Sequence, residues 1–151
     1  MLSLYEATHL SMHGEDILDE ALAFTRAHLP ALATNSSPHL AKHISDALEQ
    51  PFYTGVPRLE TLKFIPFYEH DESSNETLLK FAKLDFNKVQ TLHQQELRLV
   101  TSWWKDLNLI SEYPYSRDRV VELYFWSVAE YFEPCYSGAR VMLTKILMLY
   151  I

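Results

Sequence analysis

Arg117 and Arg119 stand one residue apart in Tyr-Pro-Tyr-Ser-Arg-Asp-Arg-Val-Val-Glu-Leu-Tyr-Phe-Trp (113–126), two permanent cations in a chain of formal net charge −7. In an extended loop, residues i and i+2 share a side, whereas on a helix they diverge. Pro114 and the capping candidates Ser116 and Asp118 predict that the pair lies where loop becomes helix. A helix start offers free N–H groups and the positive end of its dipole to an anion. Guanidinium adds a two-pronged grip on phosphate, with each charge-assisted hydrogen bond contributing about 1.5–3 kcal/mol. Seven to nine residues beyond Arg117, Tyr124 and Trp126 supply ring faces. Ion pairing of either arginine with Asp118, Glu122 or a neighbouring helix competes with phosphate binding, because Arg-x-Arg is a common pattern.

Other constellations are weaker. His39 and His43 are one helical turn apart, a spacing zinc can use, but no third ligand is apparent and an ordinary helix surface explains them. His13 with Glu15, Asp16, Asp19 and Glu20 reads as a metal cluster or, more simply, as an acidic helix start favoured by the dipole. Cys135 has no basic neighbour in sequence to lower its thiol pKa, so a packed or partly exposed thiol is expected. Trp103 and Trp104 point about 100° apart on a helix, so at most one faces a core fully.

The elements that position these residues are expected to be helices. The 151 residues hold only three glycines, with 48% hydrophobic and 13% aromatic residues, too little turn chemistry for a β-rich protein of this size. Helices are predicted over 4–10, from Gly14 or Glu15 to about His28 with Pro30 closing the block, over 39–49, and over 59–67 with a possible break at Pro66. A polar stretch, 68–76, reads as a linker. A long helix follows from Thr77 to Leu99 or as far as Leu107, with Leu79, Ala82, Phe86, Val89 and His93 on one side. Residues 108–116 form a loop, a helix runs from Asp118 or Arg119 to Phe132, and Pro134 precedes a last helix from about Ser137.

The acidic balance argues against general nucleic-acid affinity. The single cysteine fits a reducing compartment. No run reaches the roughly 18 apolar residues of a membrane span, no secretory leader is visible at Met1, and no feature points to a protein partner. The sequence stops inside an apolar helical run at Met148-Leu-Tyr-Ile151, the expectation for a fragment.

Taken in order, the chain resembles the plant-type terpene cyclases, most closely the sesquiterpene synthases. The resemblance is carried by Leu2-Ser-Leu-Tyr-Glu-Ala7, His13-Gly-Glu-Asp-Ile-Leu-Asp-Glu-Ala21, Gly55-Val-Pro-Arg-Leu-Glu-Thr61 and Leu79-Lys-Phe-Ala-Lys-Leu-Asp-Phe-Asn87. It continues through Gln95-Glu-Leu97, Trp103-Trp-Lys-Asp-Leu107, Arg117-Asp-Arg-Val-Val-Glu122 and Tyr131-Phe-Glu-Pro134. It implies an all-α fold in two parts. Residues 1–72 would be the C-terminal part of the family's α-barrel-like N-terminal domain, and 73–151 the first helices of the class I catalytic bundle. It also implies magnesium (or manganese), a prenyl diphosphate substrate, Arg117 and Arg119 as the diphosphate clamp, and Trp126 as the ring facing a carbocation.

Farnesyl diphosphate is the leading substrate for the parent enzyme, in the cytoplasm. A plastid enzyme using geranyl diphosphate and a non-catalytic helical scaffold are the alternatives. The family's first aspartate-rich metal motif would begin about two residues beyond Ile151, so this chain alone is expected to be inactive and to expose apolar surface.

Overall fold

The computed structural model describes residues 1–115 and 117–150, the Ile110 side chain excepted. Every regular element among them is helical, as the composition implies. The chain divides into two compact units, Met1–Leu79 and Lys80 onward.

In the first unit, α1 (Leu2–Thr8), α2 (Asp16–Thr34), α3 (Pro38–Glu49) and α4 (Pro57–Glu69) follow one another. Prolines at the first helical positions of α3 and α4 forgo an N–H that would have had no partner there. Tyr5, Leu29, Ile44 and Ala47 make the core.

Pro30 does not close α2; the helix continues to Thr34. An interior proline costs about 3 kcal/mol. Beyond the proline, Ala33 still packs against the core of Tyr5, Leu29, Ile44 and Ala47. Side chains then serve the last carbonyls, with Thr34 Oγ1 donating to Pro30 O at 3.0 Å and Asn35 Nδ2 to Ala31 O at 2.9 Å. Pro66 likewise sits inside α4 without breaking it. Gly14, expected as a helix start, instead turns the chain before α2 with φ +94°, a conformation that suits glycine.

The expected 68–76 linker is shorter, because Tyr68 and Glu69 still belong to α4. Asn75 fixes the turn that follows: its N–H donates to Tyr68 Oη at 3.0 Å, and its Oδ1 accepts from Leu78 N at 3.0 Å.

The long helix, α5, runs Glu76–Leu107, about 48 Å at 1.5 Å per residue. In the second unit it is accompanied by α6 (Leu109–Glu112), α7 (Val120–Glu130) and α8 (Ser137–Tyr150). Asn108 separates α5 from α6 in the left-handed region at φ 50°. Val100, Trp104, Val120, Leu123 and Met148 form the core, with Trp103 only partly buried beside it; of the two adjacent tryptophans, one faces inward. Phe81, Leu84 and Leu99 on α5, and Met142, Ile146 and Leu149 on α8, leave the expected apolar surface exposed.

Candidate diphosphate site

α7 is positioned by its inner face. Val120, Leu123, Tyr124, Ser127 and Val128 are buried, which turns residues 119, 122 and 126 (spaced i, i+3, i+7) outward as neighbours on the opposite stripe. Arg119 is the N-cap residue of α7, and its carbonyl accepts from Leu123 N at 2.9 Å. Asp118, one of the capping candidates, precedes the N-cap; its Oδ1 accepts from Val120 N at 3.2 Å, a local turn contact at the helix start. Ser116, the other capping candidate, lies outside the described residues, as does Ile151.

Arg117 is exposed in the non-helical segment just before α7. With Asp118, Arg119, Val121, Glu122 and Phe125 it lines an open surface depression. Arg119 turns forward along the helix onto Glu122. Its Nε donates to Glu122 Oε2 at 2.9 Å and its Nη2 to Oε1 at 2.7 Å. The same guanidinium lies over the Trp126 ring, with Cζ 5.5 Å from the centroid, and Trp126 is 44% exposed.

The hydrogen bonds from Arg119, with the Arg119 and Arg117 charges behind them, hold the Glu122 carboxyl below its ordinary range. The Glu122 hydrogen bond in turn raises the Arg119 guanidinium. The structure thus brings Arg119 and Trp126 together and puts Arg117 at the rim of the same depression. The competing ion pair weighed for the arginines exists at Arg119.

Tyr124 is not a partner of Trp126. Two residues apart on a helix they diverge by about 200°, and Tyr124 is buried with its Oη donating to Glu96 Oε2 at 2.8 Å. That contact belongs to a network the sequence reading missed. Arg140, fully buried, donates from Nε to Glu96 Oε2 at 2.8 Å and from Nη2 to Oε1 at 2.7 Å. Its Nη1 donates to the carbonyls of Tyr131 (2.7 Å) and Glu133 (2.6 Å).

Burial pushes the Glu96 carboxyl up, but the hydrogen bonds from Arg140, Ser137 and Tyr124 outweigh it and leave the carboxyl below its ordinary value. Burial, then the Glu96 hydrogen bond, raises the Tyr124 phenol. The network is structural, tying α5, α7, the 131–133 loop and α8. Its signal was present: Glu96 falls seven residues after Val89, on the apolar stripe of α5, and Arg140 shares a stripe with Thr144 and Met148 on α8.

The remaining candidates resolve simply. His43 stacks on Phe67 with centroids 4.1 Å apart; its burial lowers its pKa against the pull of Asp46, Glu6 and Glu60. His39 lies 6.4 Å from His70, ring to ring. Glu15 Oε2 accepts from Met12 N at 2.8 Å, a turn contact ahead of α2. Cys135 is an exposed free thiol. Among the described residues no group of three or more His, Cys, Asp or Glu could hold a metal ion, so the divalent metal that the resemblance implies has no fitting donor set there. None of the described helices is long and apolar enough to cross a membrane.

Two family models match the two ends: "Terpene synthase, N-terminal domain" over residues 1–48 and "Terpene synthase family, metal binding domain" over 105–151. The chain belongs to the terpene synthase family. It is 60% identical over 150 residues to casbene synthase, chloroplastic, of Ricinus communis, covering 99% of this chain and 25% of that protein. It is 53% identical over 147 residues to sesquiterpene synthase 2 of Toona sinensis, covering 96% of this chain and 26% of that protein. Limonene synthase crystallised with 2-fluorolinalyl diphosphate matches in structure with a TM-score of 0.87 at 30% identity, over 96% of this chain and 27% of that one. The chain therefore spans about a quarter of the length of these relatives, and the second family description implies divalent metal use in the family.

Proposed function

We propose that this chain carries the diphosphate-gripping and cation-facing portion of a terpene cyclase that converts farnesyl diphosphate to a cyclic sesquiterpene. One observation carries the reading: Arg117 and Arg119 stand at the start of α7, with an exposed tryptophan ring on the same stripe as Arg119. The solved limonene synthase was crystallised with a diphosphate ligand, and the Toona relative is named for sesquiterpene synthesis; both support it.

Ionisation of an allylic diphosphate breaks the C–O bond, leaving both electrons on the departing diphosphate and a positive charge on the prenyl chain. Arg117 and Arg119 offset the developing anionic charge with fixed cations and directed N–H groups. The Trp126 ring presents its negative face to the carbocation, worth about 2 kcal/mol or more where water is excluded. Magnesium or manganese is proposed for a synthase of the relatives' length.

Residues 1–72 are assigned to the end of the N-terminal domain and 73–151 to the opening of the catalytic bundle. The compartment of the Ricinus relative supports the plastid alternative over the cytoplasm, and with it a geranyl-diphosphate-using synthase as the second reading.

The test is Arg117→Ala in a synthase of the relatives' length that contains these residues. Turnover of farnesyl diphosphate should fall about a hundredfold, as for removal of one preorganised charge-stabilising donor; unchanged kinetics would remove the clamp. The 151-residue chain alone, given farnesyl diphosphate and magnesium, should yield no cyclic hydrocarbon.

A further inference from the structure

Arg119 already holds an anion and already covers a ring. Glu122 occupies the Nε/Nη2 edge of the guanidinium with two oxygens at 2.9 and 2.7 Å, the two-pronged geometry in which arginine also takes phosphate oxygens. The held guanidinium in turn stands on the face of Trp126. An incoming diphosphate must displace the carboxylate to use that edge. A carbocation can approach that ring face only if the guanidinium leaves it.

From this geometry we infer that Glu122 is a built-in competitor for the diphosphate, a latch that holds Arg119 over Trp126 until the anion draws it away and uncovers the ring. The inference rests on the proposed clamp and adds its regulation: anion capture and ring exposure become one event. Glu122 is thus a positioning residue that acts through Arg119. The pair suits exchange. Its side chains are 27% and 40% exposed, so water can solvate either partner while the other is handed over, and exposed pairs of this kind are weak.

Inorganic pyrophosphate titrated into the 151-residue chain tests this by calorimetry, with the Trp126 indole N–H followed by NMR. Glu122→Gln keeps the shape and removes the competing charge; it should tighten pyrophosphate binding about fivefold, the fold-change an exposed ion pair can supply. Glu122→Asp should restore weak binding, and Arg119→Ala added to Glu122→Gln should abolish the gain. The Trp126 resonance should shift along the binding isotherm.

Asp118→Asn makes the same charge change without touching the pair, so its gain should be clearly smaller. Equal gains from the two variants would show that only local charge is at work and overturn the latch. So would a Glu122→Gln variant that binds no tighter, while wild-type binding still depends on Arg117 and Arg119; in that case the clamp stands. If neither the wild type nor Glu122→Gln binds pyrophosphate, the clamp itself fails and the latch with it.

Discussion

Two arginine–glutamate pairs in the second unit have nearly the same bond lengths and different surroundings. Arg140 and Glu96 are 0% and 3% exposed, come from α8 and α5, and are surrounded by further partners in Tyr124 and two carbonyls. Arg119 and Glu122 lie within one turn of each other on α7 and face water. In the first pair each charge depends on the other, because neither has access to solvent. In the second, either partner can be replaced at small cost. Chemistry alone does not distinguish a lock from an exchangeable site; burial does.

The largest effect should come from breaking the buried pair. Arg140→Ala strands Glu96 in the core and should destabilise the second unit by about 3–5 kcal/mol. Urea unfolding followed by tryptophan fluorescence reads this unit specifically, because the chain's three tryptophans are Trp103, Trp104 and Trp126. A loss below about 1 kcal/mol would mean that the pair is solvated in solution.

Next comes Tyr124→Phe, which removes one donor to a charged acceptor and should cost about 1.5–3 kcal/mol in the same assay.

Acid should act more gradually. The Glu96 carboxyl is depressed in the folded state, so between its folded and unfolded pKa values the unfolded chain binds more protons. Its contribution to stability is therefore complete above the ordinary value of 4.5 and declines as pH falls through the folded one. Glu96→Gln, once its lower baseline is subtracted, should flatten that acid limb; an unchanged slope would assign it to other carboxyls.

The smallest effect is expected at the exposed pair. Glu122→Gln should leave the melting temperature within about 2 °C of wild type, as for most surface substitutions, so any change in anion binding there cannot come from unfolding.

Much of this was legible beforehand. The all-α class follows from few glycines and strong helical periodicity, and the inner face of α5 from Leu79, Ala82, Phe86, Val89 and His93. The loop-to-helix junction at Arg117–Arg119 was legible too, because Pro114 and Asp118 are local signals. Most of what failed depended on tertiary context. Pro30 reads as a stop locally, yet α2 continues past it to Thr34, with Ala33 packed against the core. The orientation of Arg119 toward Glu122 is a rotamer choice that spacing permits without dictating. Tyr124 and Trp126 are close in sequence, but helical geometry alone sends them to opposite faces. Glu96 and Arg140 are 44 residues apart, and no local pattern pairs them.

Of the two paired arginines, only Arg119, the one reached by water, can change partners. NMR of the arginine Nε–H groups during a pyrophosphate titration tests it in one experiment. The Arg119 resonance should shift with added anion while that of Arg140 stays fixed on Glu96. An Arg119 signal that does not move at saturating pyrophosphate, or an Arg140 signal that moves equally, would contradict it.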